Sequence, residues 1–200
     1  MKPIKKNSGY EKVSLRTRKT VFTGMLSSLS LGLFALESAI PPLTVFPGIK
    51  PGIANAVTLF ILFRAEFQAG RGGFWFRRDA VTVMIVRVLL SAFAFAQPMT
   101  LLYSFSGGIA ALCGEILFMR LRLRKIPPGN PAKGSAGSVI ATSIVGALLH
   151  VSAQTAVAAA VLGSGAVFAY LPFMAAGAAI CGTFTGAAVA AVVKQLNIEN

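Results

Sequence analysis

The feature that most constrains this chain is a series of long apolar runs broken by short basic clusters. A helix needs about 20 apolar residues to cross the hydrocarbon core of a bilayer. Six spans can be drawn, at about 20–40, 51–63, 80–97, 98–119, 136–162 and 166–193, the second of them short for a crossing. Only 12% of the 200 residues are charged, about half the share usual in a soluble domain. The sequence therefore predicts one all-α membrane domain over 20–194, a six-transmembrane-helix bundle. A basic arm over 1–19 precedes it and a short tail over 195–200 follows.

The formal charge of +13 invites a nucleic-acid reading, but its distribution argues against one. Seven of the nineteen Lys and Arg residues lie in the first nineteen positions. Others cluster after the second segment (Arg64, Arg71, Arg77, Arg78) and after the fourth (Arg120, Arg122, Arg124, Lys125, Lys133). The turns after the third and fifth segments carry none. Lys and Arg concentrate in cytoplasmic loops, so the alternation predicts both ends in the cytoplasm of a cell-membrane protein, with no nucleic-acid partner. Lys50 alone falls on the predicted outer side.

Lys50 sits in "PPLTVFPGIKPGIAN", residues 41–55, which holds four prolines and cannot be a continuous helix. Irregular backbone at membrane depth is tolerated only where it is buried in protein or lines a cavity. The stretch reads as a loop folded over an outer pocket, ending at Gly52 where a helix begins. Such an end presents free N–H groups to an anion, and Lys50 adds a charge beside it. The alternative is a plain outer turn with a solvated lysine.

Ionisable residues within spans usually face the bundle interior. Here they are Glu37, Arg87, Glu115 and His150. Gly146, His150 and Gln154 share one helix face at four-residue spacing. His150 suits either a substrate contact or a structural hydrogen bond between helices, and Glu37 and Arg87 suit either a site or an ion pair. Glu115 reads as a partner for Arg120 or Arg122 near the cytoplasmic side. Small residues recur every fourth position as Gly24, Ser28 and Gly32, and again as Ala178, Gly182, Gly186 and Ala190. Both stripes suit close helix packing, within the bundle or against a membrane partner.

The sequence contains no phosphate-binding G-x-x-x-x-G-K-[ST] loop. Its single aspartate, Asp79, rules out an aspartate-rich magnesium site. A lone histidine is a weak metal signal. Cys113 and Cys181 lie in apolar spans as small hydrophobes. No catalytic residues, metal or cofactor are expected, and the chain does not read as an enzyme.

The ordered pieces "LESAIPPLTVFPGIKPGIAN", "VRVLLSAF", "SFSGG", "GALLHVSAQ" and "YLPFMAAGAAICGTFTG" resemble the Gx transporter family, also labelled heptaprenyl diphosphate synthase component I. The resemblance spans about residues 29–193. Matching positions are Glu37, Ser38, Pro47, Gly48, Lys50, Gly52, Asn55, Arg87, Gly107, Gly108, His150, Gln154 and Pro172. Where the family has Asn after the histidine this chain has Val151, and Pro51 precedes Gly52 where a large apolar residue is commoner. The family is similar to substrate-binding S components of energy-coupling-factor (ECF) transporters. That implies uptake of a small molecule, with a transmembrane coupling subunit and ATPases as partners. Lys50 and Arg87 among apolar walls suit an amphiphilic anion. The implied substrate residues are Glu37, Lys50, Asn55, Arg87, His150 and Gln154, and the docking stripe is Gly24, Ser28 and Gly32. The older label implies a non-catalytic component of a heptaprenyl diphosphate synthase in isoprenoid and quinone biosynthesis, partnered by a soluble synthase subunit.

Overall fold

The structure, a computed structural model, describes residues 8–39, 52–67, 77–94, 98–123 and 135–198. Six α-helices account for nearly all of them: α1 (Ser8–Ala39), α2 (Ala56–Phe67), α3 (Arg77–Ala94), α4 (Pro98–Leu123), α5 (Ala136–Leu162) and α6 (Leu171–Ile198). Short 3-10 turns, Ile53–Asn55 and Gly165–Tyr170, lead into α2 and α6. Several bounds differ from the sequence expectation. The basic arm is helical from Ser8 and continuous with the first span. Gly52 is left-handed (φ 86°), so α2 starts only at Ala56.

Four segments are long and apolar enough to cross a membrane: Leu15–Ala39, Leu101–Arg122, Ala136–Leu162 and Gly165–Gln195. The other two helices differ for identifiable reasons. Helix α3 holds four charged residues in its 18. Helix α2 has only 12 residues, a rise of about 18 Å. A helix that is apolar all round belongs in a core, and α2 is enclosed: Val57, Leu59, Ile61, Leu62 and Phe63 are all buried. They form one cluster with Val83 and Val88 of α3, Leu112 and Met119 of α4, Val139 of α5, and Val189 and Val193 of α6. The short span is therefore the hub of the bundle.

The bundle's outer surface is apolar, with Phe22, Met25 and Leu29 of α1, Phe93 of α3, Leu117 of α4 and Phe173, Ile180 and Phe184 of α6 exposed. Its interior is polar at many points, including Ser30, Glu37, Arg87, Glu115, Thr142, His150 and Gln154. Hydrocarbon outside and hydrogen-bonding groups inside is the distribution a lipid solvent favours.

Charged residues tie α3 to α1 and to α2. Lys19 of α1 pairs with Asp79 of α3 at 2.8 Å, and Arg77 of α3 pairs with Glu66 of α2 at 2.8 Å. At α5's far end the helix stops at Gly163, which takes a left-handed conformation (φ 62°) and donates to the Ala159 and Ala160 carbonyls. The chain then turns back into α6.

The α5–α6 contact is made by small residues. A Cβ on Gly186 would lie 2.7 Å from the Ile140 backbone, and one on Gly182 would lie 3.1 Å from Ile144 Cα. Ala178, Gly182, Gly186 and Ala190 are all buried. The α6 stripe is therefore filled by α5, the first of the two uses its spacing suited.

Candidate functional site

The ends of α1 and α2 are joined by a carboxylate. Glu37 is buried, and its Oε1 accepts hydrogen bonds from the backbone N–H of Gly52 and, at 3.3 Å, of Ile53. Nearby, Ser30 Oγ donates to the Ala54 carbonyl at 3.0 Å. This changes the reading of that helix start. Free N–H groups there were expected to face a ligand anion; two of them are already occupied by Glu37. The acceptor at this end of the helix is a carboxyl group, and it belongs to α1.

Gly52 is required here by conformation and by space. Its φ of 86° is unfavourable for a residue with a side chain. A Cβ would also lie 3.2 Å from Asn55 Nδ2 and 3.3 Å from His150 Cδ2. The backbone thus comes close enough for Asn55 to reach α5, where its side-chain amide lies 3.1 Å from His150 Nδ1. Gln154, one turn beyond His150, places its Nε2 2.9 Å from His150 Nε2. The imidazole also lies close against Gly107 of α4. A Cβ on Gly107 would approach the ring to 2.8 Å, so glycine on α4 lets the ring lie flat against that helix. Asn55, His150 and Gln154 are each less than a tenth exposed and form one continuous hydrogen-bonded chain.

Arg87 of α3 lies in the same interior, 3% exposed, within electrostatic range of both Glu37 and Glu115. Met84, one turn before it, packs over Gly108, where a Cβ would be 3.2 Å from the Met84 thioether and 3.6 Å from Arg87 Nη2. Four helices and the turn before α2 thus bring Glu37, Asn55, Arg87, His150 and Gln154 together. Lys50, Pro47 and Gly48 lie outside the described residues.

Glu115 departs from its expected place. Arg120 and Arg122 are exposed, and the Arg122 guanidinium lies 5.9 Å from the centroid of the Phe118 ring. Glu115 points inward instead, 2% exposed, against Gly146 of α5. It joins the site by way of Arg87. The sequence did carry a signal: Gly107, Ala111 and Glu115 recur every fourth residue, on the face that also presents Gly107 to His150.

Gly24, Ser28 and Gly32 lie elsewhere, on an exposed face of α1. A Cβ added at Gly24 or Gly32 would meet nothing within 4 Å. Among the described residues, no group of three His, Cys, Asp or Glu side chains is placed to hold a metal. Cys113 and Cys181 are both free thiols.

Chemically, the arrangement offers recognition: two side-chain amides bracket the imidazole, one at each ring nitrogen.

No curated protein matches the chain, and no solved structure does. The family model for heptaprenyl diphosphate synthase component I matches residues 26–192, which takes in α2 to α5 whole, parts of α1 and α6, and every described residue of the polar centre. The chain belongs to the heptaprenyl diphosphate synthase component I family.

Proposed function

We propose that the chain is a non-catalytic, substrate-binding subunit of a membrane transporter, similar to an ECF S component, that takes up a small molecule with energy supplied by a partner. The observation that carries this reading is the Asn55–His150–Gln154 chain with Glu37 and Arg87, enclosed in a bundle whose outside is hydrocarbon. Polar groups are costly in such an interior and are retained there mostly for ligands or ions. The amides and imidazole offer both donors and acceptors, so the ligand carries polar groups of both kinds. Arg87 is the cation suited to an anionic part of it. Because two carboxylates already face Arg87, an anion binds there less strongly than Lys50 and Arg87 alone would allow.

Asn55 and His150 are in contact with each other in this conformation. A ligand that engages either side chain there parts that contact. The open α1 face at Gly24, Ser28 and Gly32 supports docking of a transmembrane coupling subunit there. Both termini are assigned to the cytoplasm of the cell membrane, on the ground that basic clusters alternate along the sequence with turns free of Lys and Arg. A cysteine at Ser164 should react with an impermeant reagent from outside, and one at Ser135 should not.

The family's name favours a second reading, in which the chain is the membrane component of a heptaprenyl diphosphate synthase and presents or sequesters an isoprenoid. One experiment separates the two. The protein is purified in mild detergent and bound small molecules are identified by mass spectrometry. A water-soluble compound at about one per chain supports the transporter reading. A prenyl diphosphate or polyprenyl lipid at that stoichiometry supports the synthase reading. Recovery of neither, from protein that is folded and monodisperse, counts against both.

A further inference from the structure

Where the start of α2 meets α4, α5 and α6, a small cavity lies against Asn55, Glu115, Ser143 and Thr185, with Gly182 and Ala147 as its close walls. Its volume is about 10 Å³, on the order of what one water or one small ion occupies. The carboxylate on this cavity is unusual. Glu115 is 2% exposed, and its Oε2 has no hydrogen-bond partner among the described residues.

A buried carboxylate without a partner is costly, so it takes up a proton or acquires a cation. Charge counting favours the cation. Glu37 and Glu115 are two buried carboxylates in the described spans, and Arg87, in range of both, is one positive group. Glu37 also has backbone N–H donors; Glu115 Oε2 does not. A proton on Oε2 would leave a hydroxyl with no acceptor at hydrogen-bond distance, so neutralisation alone does not satisfy the atom. A cation in the cavity would meet the carboxylate together with the Ser143 and Thr185 hydroxyls and the Asn55 amide oxygen. One carboxylate with neutral oxygens is too little charge for calcium, which takes six to eight oxygen ligands and usually several carboxylates. None of the lining residues carries a thiolate or an imidazole, and no group of three His, Cys, Asp or Glu gathers among the described residues, which disfavours softer metals.

We propose that Glu115, with Ser143, Thr185 and Asn55, forms a binding site for one small monovalent cation of the size of sodium. Asn55 belongs to this site and to the His150 chain alike, so ion occupancy holds α2's start in place and couples the ion to whatever parts Asn55 from His150.

The test uses the full chain in detergent and sodium ion alone as the probe, so its outcome does not depend on the transporter reading. Thermal unfolding is measured at constant ionic strength in sodium, potassium or choline chloride, for wild type, Glu115→Gln and Thr185→Val. Radioactive sodium binding gives the stoichiometry. Sodium well above its dissociation constant should raise the wild-type midpoint by on the order of 5 °C over choline, and potassium should raise it less. About one sodium should bind per chain, and both variants should lose the response. If Glu115→Gln does not fold, Thr185→Val, which keeps shape and removes one oxygen, carries the test. Equal midpoints in sodium and choline for the wild type, or an undiminished sodium response in Thr185→Val, would overturn the proposal.

Discussion

The small-residue stripes of α1 and α6 share a four-residue spacing and have opposite surroundings. On α6, Gly182 and Gly186 lie against the backbone of α5. On α1, Gly24 and Gly32 open onto nothing within 4 Å. A stripe of small residues marks where a helix can be approached closely, and says nothing about whether the approaching helix belongs to the same chain. The same pattern thus has two settings: α6 uses its stripe to build the bundle, and α1 leaves its stripe exposed.

Bulk at the two stripes should therefore act very differently. Gly186→Leu would drive a side chain into Ile140 and Ser143, at 2.7 and 2.9 Å from the new Cβ. Backbone cannot yield as a flexible side chain does, so the cost should be about 3 kcal/mol or more. Loss of monodisperse protein in detergent, or a midpoint lowered by roughly 10 °C, is the expected result. A normal midpoint would mean that α5 and α6 do not pack as described.

A smaller effect is expected where α1 is tied to α2. Glu37→Ala removes the acceptor of the Gly52 and Ile53 N–H groups. Buried donors left unpaired cost about 1–3 kcal/mol. Glu37→Gln retains an amide oxygen and should recover part of this. Hydrogen exchange at the start of α2 reads the change directly, with Ile53 among the amides losing protection. Unaltered exchange in Glu37→Ala would show that the carboxylate is not what holds the turn.

The smallest effect on folding belongs to the α1 stripe. Gly32→Leu faces open space and should change stability by no more than about 0.5 kcal/mol. If a membrane partner docks there, co-purification with that partner should fall while the folded chain is unaffected. A drop in midpoint comparable to that of Gly186→Leu would place the α1 stripe inside a packed interface of this chain.

Much of this architecture was legible because lipid imposes simple rules on sequence. Apolar length and basic clusters located all six helices, and α5 was bounded at 136–162. Expense in hydrocarbon drew attention to Glu37, Arg87, His150 and Gln154, and their spacing placed the last two on one face. Three things needed coordinates. Distances along the chain could not show that the N–H groups after Gly52 would be taken by Glu37, 15 residues earlier. Nor could they show that Glu115 points inward, because an acidic residue five positions from an arginine has a cheaper local partner available. The centrality of α2 also escaped, since an apolar segment reads alike whether lipid or protein surrounds it. Its short length was the clue, and enclosure by the other helices is the physical answer.

The central claim is that the Asn55–His150–Gln154 chain exists to bind a ligand and not merely to hold helices together. Gln154→Leu tests this most directly, because Gln154 is almost fully buried and leucine is close to it in size. In this variant two quantities are measured on one preparation: the amount of co-purifying small molecule, by mass spectrometry, and the thermal midpoint. Losing a hydrogen bond from a neutral binding contact costs about 0.5–1.5 kcal/mol, so bound ligand should fall by roughly three- to tenfold. The midpoint of ligand-free protein should fall by no more than a few degrees, since an apolar replacement of similar shape is tolerated in a core. A midpoint lowered by about 10 °C with the small molecule still bound would contradict the account and make the polar chain a structural element.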